Sequence, residues 1–281
     1  MQSFGILLLF FVTIALVVSE DTVLLMPDDR TIMLKPIKWY KNLATRKGRL
    51  EAEAFLIEGD RHVKQIIGSN PDDIIEIVST EELSPFYHKY SKRLVTDSQL
   101  RSICSTKTPQ GIIAIVRLPL DTYSDQLPDN IGAKILLLED VQDPGNVGTL
   151  IRTAVAFDFS GIILTEKCAD PLSPKCVQST VGTVLSLWIR RTSRYLELVE
   201  ELKHNGYSLV AADLGGAEDP SVLQCQNKLL LALGNEASGL SDSVLNASNH
   251  RLRVPTIRGK AESLNVAACG AICMYLSYHK Y

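Results

Sequence analysis

Residues 135–152 read ILLLEDVQDPGNVGTLIR, and this stretch decides the expected fold of the carboxyl-terminal half of the chain. Residues 135–139 open with an unbroken apolar run, which is typical of a parallel strand covered on both faces of its sheet. Residues 140–145 form a loop with a Pro-Gly pair, and Asn146 is then placed to cap a helix that runs to Ala156. The stretch therefore predicts a strand, a short loop and a helix.

The same alternation continues toward the carboxyl terminus. Strand-like apolar runs recur at residues 161–165, 208–213 and 228–234, and helical patterns occur at 195–204 and 263–278. Alternating strands and helices predict an α/β fold with a parallel sheet and helices on both faces. We assign residues 135–281 to this domain.

Three loops in this domain follow predicted strands: the first loop (143–152), the second loop (233–240) and the third loop (254–266). Ligands of open α/β sheets bind beyond the carboxyl ends of the strands, and the glycines of these loops let a ligand approach the backbone closely. The sequence contains no G-x-G-x-x-G, Walker A, H-E-x-x-H or G-x-S-x-G motif. A Rossmann dinucleotide site and the common hydrolase sites are therefore disfavoured.

The first loop contains N-x-G-x-x-x-R, the second G-N-E-x-x-G-L and the third S-L-N-V. In this order they resemble motifs 1, 2 and 3 of the SpoU (TrmH-type) RNA 2′-O-ribose methyltransferases, a resemblance that covers about residues 38–280. It implies a SPOUT fold with a carboxyl-terminal trefoil knot, a homodimer, S-adenosylmethionine as cofactor and no metal. The residues that the resemblance assigns to the cofactor are Ala212, Asp213, Gly234, Asn235, Gly239, Val254 and Leu264.

The resemblance also implies a catalytic set: Asn146, Arg152, Glu236, Ser263 and Asn265. Because arginine is rarely deprotonated, we interpret Arg152 as a clamp on phosphate and on the nascent alkoxide, with the proton leaving to water or phosphate. Asn146 and Asn265 would bind the ribose or hold the loops, Glu236 would orient Arg152 or accept a proton, and Ser263 would position the nucleotide. Structural alternatives remain open: helix caps for Asn146 and Ser263, a helix-dipole partner for Glu236, and a surface ion pair for Arg152.

A basic and aromatic segment, KPIKWYKNLATRKGR, occupies residues 35–49 and contains six basic side chains and no acidic one. This composition suits phosphates and stacked bases, although a solvated helix face with one aromatic anchor is an equally simple interpretation. The candidate RNA-binding residues are Lys38, Trp39, Lys41, Arg46, Lys47 and Arg49.

The surrounding region, residues 35–118, is expected to form a small α/β unit. Strands are predicted at 54–57, 74–78 and 111–116, and helices at 61–67 and 81–90. The stretches FLIEGDRHV (55–63) and TPQGIIAIV (108–116) resemble the L30e-like substrate-binding domain of the same family. Residues 119–134, rich in Pro, Asp, Asn and Gly, are predicted to link the two domains.

Composition and the amino terminus set further bounds. The net charge of −3 provides no global attraction for nucleic acid, and six cysteines without C-x-x-C exclude a disulfide-dense scaffold and the common zinc ribbons. Residues 1–34 form a separate extension whose apolar segment, residues 4–18, is shorter than the roughly 20 residues of a membrane span. A targeting or anchor segment and an upstream extension ahead of Met26 or Met33 both remain open.

The sequence as a whole predicts methylation of a ribose 2′-hydroxyl in structured RNA. The L30e-like unit favours rRNA, with tRNA as the alternative substrate and a non-catalytic RNA-binding relative as the alternative function. An anchored or secreted interaction protein is suggested only by residues 4–18 and fits poorly, because cofactor and RNA are found inside cells. The expected compartment is the cytoplasm or an organelle such as a mitochondrion or chloroplast, with a membrane anchor still open.

Overall fold

A short antiparallel sheet precedes two α/β units in the computed structural model, which describes residues 16–18, 21–24, 32–33, 35–257 and 263–278. Its strands are β1 (Leu16–Val18), β2 (Asp21–Leu24) and β3 (Ile32–Met33). The rest of the apolar segment predicted at residues 4–18 lies outside the described residues. Within the part of the chain that is described, no helix has both the length and the apolar character needed to span a membrane.

The amino-terminal unit is a four-stranded sheet with order β4-β7-β5-β6, in which β7 runs antiparallel to both neighbours. Its elements are α1 (Ile37–Asn42), α2 (Arg46–Ala52), β4 (Ala54–Glu58), α3 (Asp60–Ser69), β5 (Ile74–Ser79), β6 (Lys92–Leu94), α4 (Asp97–Ile103) and β7 (Ile112–Arg117). The three predicted strands and the first predicted helix are present. The helix predicted at 81–90 is wrong: the chain forms only a 3-10 turn at Pro85–Tyr87. Pro85 holds the preceding Ser84 in an extended conformation, which breaks the helical pattern.

The carboxyl-terminal unit contains a six-stranded parallel sheet with order β10-β9-β8-β12-β11-β13. Its elements are β8 (Lys134–Leu138), α5 (Pro144–Ala156), β9 (Gly161–Thr165), α6 (Pro174–Thr180), β10 (Trp188–Thr192), α7 (Tyr195–His204), β11 (Ser208–Ala212), β12 (Leu229–Leu233), α8 (Asp242–Ala247), β13 (His250–Leu252) and α9 (Val266–Leu276). The predicted parallel α/β sheet is thus confirmed.

Helices cover both faces of this sheet, because successive side chains of each strand point to opposite faces. Leu136 and Leu138 belong to a buried cluster with α5, α6 and α9, whereas Ile135 and Leu137 pack with α7 and α8. The first cluster also extends into the amino-terminal unit, where it includes Phe55. The two units therefore share this apolar cluster, and each unit also has a cluster of its own.

Two helix starts differ from the sequence prediction. Asp143, rather than Asn146, caps α5, because its side chain accepts a hydrogen bond from the backbone N–H of Asn146 and Pro144 opens the helix. Asn265 caps α9 by accepting from the N–H groups of Ala267 and Ala268, so the closing helix begins after Ser263. The capping interpretations of Asn146 and Ser263 are accordingly wrong, and both side chains are left for other contacts.

The segment between the units, residues 119–134, is fixed to the carboxyl-terminal unit. Its 3-10 turn, Leu120–Tyr123, lies beside β10, and Asp121 pairs with the guanidinium of Arg190 across 2.8 Å. Trp188 donates from its indole N–H to the carbonyl of Ile131 at 3.0 Å. The segment is therefore an ordered connection along one edge of the sheet.

Candidate functional site

The second and third loops meet at the carboxyl edge of the parallel sheet, where they line a cavity of about 460 Å³, and the first loop is joined to them through Asn146. The three loops follow β8, β12 and β13, which are parallel strands of one sheet, so the loops lie at the same edge of that sheet. All the residues that the resemblance assigns to a cofactor line this cavity: Ala212, Asp213, Gly234, Asn235, Gly239, Val254 and Leu264. Glu236 and Ser263 line it as well.

Other lining residues were not selected from the sequence. They are Leu214, Leu233, Ala237, Ser238, Arg253, Thr256, Val266 and Cys269. Most adjoin a motif residue, so the motif spacing alone could have indicated them. Cys269 is half-buried and faces the cavity from α9.

The second loop is shaped by its own backbone and by Asn235. Asn235 and Gly239 exchange backbone hydrogen bonds of 3.0 and 2.9 Å, and the Asn235 side chain accepts from the N–H groups of Ala237 and Ser238. A Cβ atom on Gly234 would lie 2.3 Å from the carbonyl carbon of Gly239, so only glycine fits there. Glycine at this position keeps the loop closed upon itself beside the cavity.

Two charged side chains of opposite sign lie at the far wall of the cavity. Asp213, at the end of β11, pairs with Arg251 across 2.6 Å. Arg253 is exposed, and its guanidinium makes no hydrogen bond or ion pair with any residue that the structure describes. The cavity therefore offers both a paired carboxylate and an uncommitted cation.

Asn146 joins the first loop to the other two. Its Nδ2 atom donates to Oε1 of Glu236 at 2.8 Å, and its Oδ1 atom accepts from Nδ2 of Asn265 at 3.1 Å. Asn146 is held in place because its own N–H donates to the Asp143 carboxylate, which lowers the pKa of Asp143. Three of the predicted catalytic side chains thus form one hydrogen-bonded row.

Arg152 lies outside this row. It is exposed on α5, about a turn and a half beyond Asn146, and makes no hydrogen bond or ion pair with the described residues. The interpretation of Arg152 as a member of a surface ion pair therefore does not hold in this structure. Glu236 contacts Asn146 rather than Arg152, so direct orientation of Arg152 by Glu236 is not seen either.

The basic segment in the amino-terminal unit divides into exposed and buried members. Lys38, Lys41, Arg46 and Lys47 are exposed, and Trp39 is half-buried. Arg49 corrects the sequence-based assignment: its guanidinium is buried and pairs with Asp170 across 2.5 Å, so it does not face RNA. Composition had placed Arg49 among its exposed neighbours because no local signal separates it from them.

Among residues 35–257 and 263–278, no three His, Cys, Asp or Glu side chains are grouped so as to hold a metal ion. The polar side chains that line the cavity carry amide, carboxylate, hydroxyl and guanidinium groups.

Comparison with known proteins gives matches over both units. Residues 133–275 match the SpoU rRNA Methylase family, and residues 35–114 match the MRM3-like substrate binding domain. A 23S rRNA (guanosine(2553)-2′-O)-methyltransferase of Bacillus subtilis is 31% identical over 242 residues, which cover 85% of this chain and 94% of that protein.

Two solved structures of methyltransferases are also similar. The SpoU methyltransferase AviRb of Streptomyces viridochromogenes, in complex with AdoMet, superposes with a TM-score of 0.74 at 26% identity, over 86% of this chain and 96% of that one. An AdoMet-bound rRNA methyltransferase of Sinorhizobium meliloti superposes with a TM-score of 0.73 at 27% identity, over 86% and 93% of the two chains. With its motif loops gathered around one cavity and its sequence matched over both units, the chain belongs to the SpoU rRNA methylase family.

Proposed function

We propose that this protein transfers a methyl group from S-adenosylmethionine to a ribose 2′-hydroxyl of ribosomal RNA. The observation that carries the proposal is the row Glu236–Asn146–Asn265, which ties the three loops together beside a cavity lined by the expected cofactor residues. The relatives that methylate rRNA, and the AdoMet-bound structures of similar fold, support the same reaction.

The cavity fits the proposed cofactor in size and in chemistry. Ala212, Leu233, Val254 and Leu264 provide apolar walls for a flat ring, and glycine at position 234 lets the second loop close beside them. Asp213, Asn235 and Arg253 offer polar groups along the same walls. When bound there, S-adenosylmethionine supplies an electrophilic methyl group on a sulfonium, so the protein need only position and activate the acceptor.

We assign the acceptor side of the reaction to the first loop and to its hydrogen-bonded partners. Asn146 and Asn265 fix the geometry of the loops, and Glu236 keeps the Asn146 amide in one orientation. Arg152 is free of protein partners among the described residues, so its guanidinium is available to bind phosphate and to stabilise the developing alkoxide. The hydroxyl proton then leaves to water or phosphate, and Ser263 positions the nucleotide at the cavity rim.

The substrate side of the proposal rests on the amino-terminal unit. Lys38, Lys41, Arg46 and Lys47 form an exposed basic surface next to Trp39, suited to phosphates and to a stacked base. We propose that this surface holds structured rRNA, as the match to a substrate-binding domain suggests. The proposed compartment is the cytoplasm or an organelle, where rRNA and its cofactor are found together.

We further propose that the protein acts as a homodimer. Ile272 on α9 is exposed in a single chain, and a second copy would cover this apolar side chain. The knotted threading that the resemblance implies involves the third loop, part of which lies outside the described residues, and it stays a prediction.

The decisive experiment maps ribose methylation across total RNA with and without the gene. We expect one or a few 2′-O-methyl groups of rRNA to disappear on deletion and to return with the wild-type gene but not with Arg152→Ala. An unchanged rRNA map, or loss confined to tRNA, would contradict the proposal. Calorimetry with S-adenosylmethionine separates this enzyme from a non-catalytic relative, because an inactive relative need not bind the cofactor.

A further inference from the structure

We propose that Arg49 and Asp170 form a positioning pair, which fixes the RNA-binding surface of the amino-terminal unit relative to the catalytic helix α5. This inference rests on the proposed function for its RNA assay, and on the contacts between the two units for its geometry. The pair joins residues that are 121 positions apart in sequence, and its two oppositely charged atoms lie 2.5 Å from each other.

On one side, Arg49 organises the basic segment itself. Its Nη1 atom donates to the carbonyls of Leu43 and Ala44, at 3.0 and 3.2 Å, where α1 ends and the chain turns toward α2. The exposed cations Lys41 and Arg46 flank this turn. The buried guanidinium therefore sets the path of the backbone that presents the RNA-binding side chains.

On the other side, Asp170 is held by the carboxyl-terminal unit. It accepts hydrogen bonds from the hydroxyl of Tyr123 at 2.9 Å and from the N–H of Leu172 at 3.0 Å. Burial and the Asp170 carboxylate raise the pKa of Tyr123, so its hydroxyl remains a donor at neutral pH. The guanidinium of the exposed Arg46 stacks on the Tyr123 ring at 4.5 Å, which places one RNA-facing cation in the same network.

The network reaches the catalytic helix through α6, which begins just after Asp170. Helix α6 packs against both α5 and β4, and a Cβ atom on Gly148 of α5 would lie only 2.3 Å from the Cys176 carbonyl oxygen. Because α5 carries Asn146 and Arg152, a displacement of α6 would displace the catalytic side chains. The path from Arg49 to α5 therefore runs through Asp170, the short turn to Ser173 and helix α6, which packs on α5.

A second close contact lies at the other end of α6. Val181 and Gly182 both have positive φ values, 54° and 83°, and a Cβ atom on Gly182 would lie 2.8 Å from the carbonyl oxygen of His62 in α3. A β-branched residue rarely adopts this conformation, so the turn is maintained by its surroundings. Helix α6 is thus fixed against the amino-terminal unit at both of its ends.

Stability alone is a poor explanation for the pair. Burying two charges costs free energy that their attraction recovers only if every polar atom is satisfied, and well-packed apolar residues often stabilise a protein more. The Nε atom of Arg49 is buried without an acceptor among the described residues. Because the hydrogen-bonding groups of this ion pair are incompletely satisfied, the orientation that it imposes on the two units explains it better than stability does.

The test replaces the pair by apolar residues of similar size, Arg49→Met with Asp170→Leu, so that neither charge is left buried alone. The control is Leu202→Ala. This change opens a cavity in the apolar cluster that packs with α7 and α8, and it destabilises the protein without altering the contact between the two units. Nitroxide labels on Ser98→Cys, in the amino-terminal unit, and on the exposed native Cys225 report the distance distribution between the units.

We expect the double variant Arg49→Met with Asp170→Leu to bind S-adenosylmethionine within twofold of the wild-type Kd. Its distribution of distances between the two labels should be at least twice as wide as that of the wild type. Its kcat/KM for rRNA should fall at least tenfold, through a higher KM. The Leu202→Ala control should change neither width nor KM. An unchanged width, or a wider distribution with unchanged kcat/KM, overturns the proposal. If the wild type methylates no RNA, the proposed function fails, and the distance distribution still decides whether the pair fixes the two units.

Discussion

Asn146 donates a hydrogen bond to Glu236 across 2.8 Å, and this bond connects two loops that lie 90 residues apart in the sequence. The same amide accepts from Asn265 at 3.1 Å. One side chain therefore uses its donor and its acceptor to hold together all three motif loops. The row is exposed to solvent, which is where a ribose hydroxyl could reach it.

Replacing Asn146 by alanine should uncouple the loops while leaving the fold intact, because the helix cap belongs to Asp143. We expect single-turnover methyl transfer to fall about 100-fold or more, the scale of losing one preorganised hydrogen-bonding group in an active site. The cofactor Kd should change by less than tenfold. Gln142→Ala, an exposed neighbour in the same segment, is the matched control, and equal rates for both variants would refute the role of the row.

Arg152→Ala should abolish methyl transfer and leave both the fold and cofactor binding largely unchanged. Arg152 makes no hydrogen bond or ion pair with the described residues, so its removal breaks no such interaction among them. We expect a loss of roughly 1000-fold in kcat, with partial recovery in Arg152→Lys, which keeps the charge but not the planar fork. Thr149→Ala, one turn earlier on the same helix, serves as control. Normal turnover in Arg152→Ala would remove the assigned role.

Gly234→Val should prevent cofactor binding, because its Cβ atom would lie 2.3 Å from the Gly239 carbonyl carbon and would force the second loop open. We expect calorimetry with S-adenosylmethionine to show at least a 100-fold weaker Kd. Gly68→Ala in α3 is the matched control: outside its own turn of helix, no atom of the described residues lies within 4 Å of its Cβ position, and it should bind cofactor normally while gaining up to about 1 kcal/mol of stability. Tight binding of S-adenosylmethionine by Gly234→Val would show that the cofactor binds at a different site.

The Asp143 cap predicts a pH-dependent contribution to stability. The N–H of Asn146 and the nearby Lys175 lower the pKa of Asp143, so the carboxylate stabilises the folded state fully above its unfolded pKa of about 3.9 and loses this effect as pH falls through the lower folded pKa. Asp143→Ala should cost about 1 kcal/mol at pH 7. The difference in Tm from the wild type should shrink in acid.

The control for this measurement is Asp129→Ala, since Asp129 is exposed and makes no hydrogen bond or ion pair with the described residues. Thermal unfolding at pH 7 and near pH 3 gives the Tm difference between the wild type and each variant at the two pH values. A difference between wild type and Asp143→Ala that stays constant with pH would show that the charge of the cap does not matter.

The exposed basic segment predicts a salt-dependent contribution to RNA binding. Lys41→Ala should lower affinity and reduce the slope of log K against log salt by roughly 0.7 to 0.9, the amount for one phosphate contact. Lys228→Ala is the control, because Lys228 precedes β12 at the opposite edge of the sheet from the cavity. A filter-binding titration at several salt concentrations measures the affinity and the salt slope of each variant. An unchanged slope for Lys41→Ala would show that RNA binds at a different surface of the protein.

Local apolar patterns predicted the strands of the parallel sheet, and the resemblance of three short motifs to a known family indicated the residues that line the cavity. The sequence missed β10, where Arg190 and Arg191 interrupt the apolar run although Arg190 is buried against Asp121. It chose Asn146 over Asp143 as the cap because both residue types suit that position, although Pro144 at the first helical position favours Asp143. It could not separate Arg49 from its neighbours, since the partner that buries it is distant in sequence.

The apolar cluster that runs from Phe55 into the parallel sheet has a consequence for how this molecule is built and loses its structure. Each half has an apolar cluster of its own, but this third cluster spans both halves, so cutting the chain between them would expose buried apolar side chains to water on both fragments. The two halves should therefore melt in one cooperative event, and heating should never yield a surviving methyl-transfer half beside an unravelled RNA-holding half.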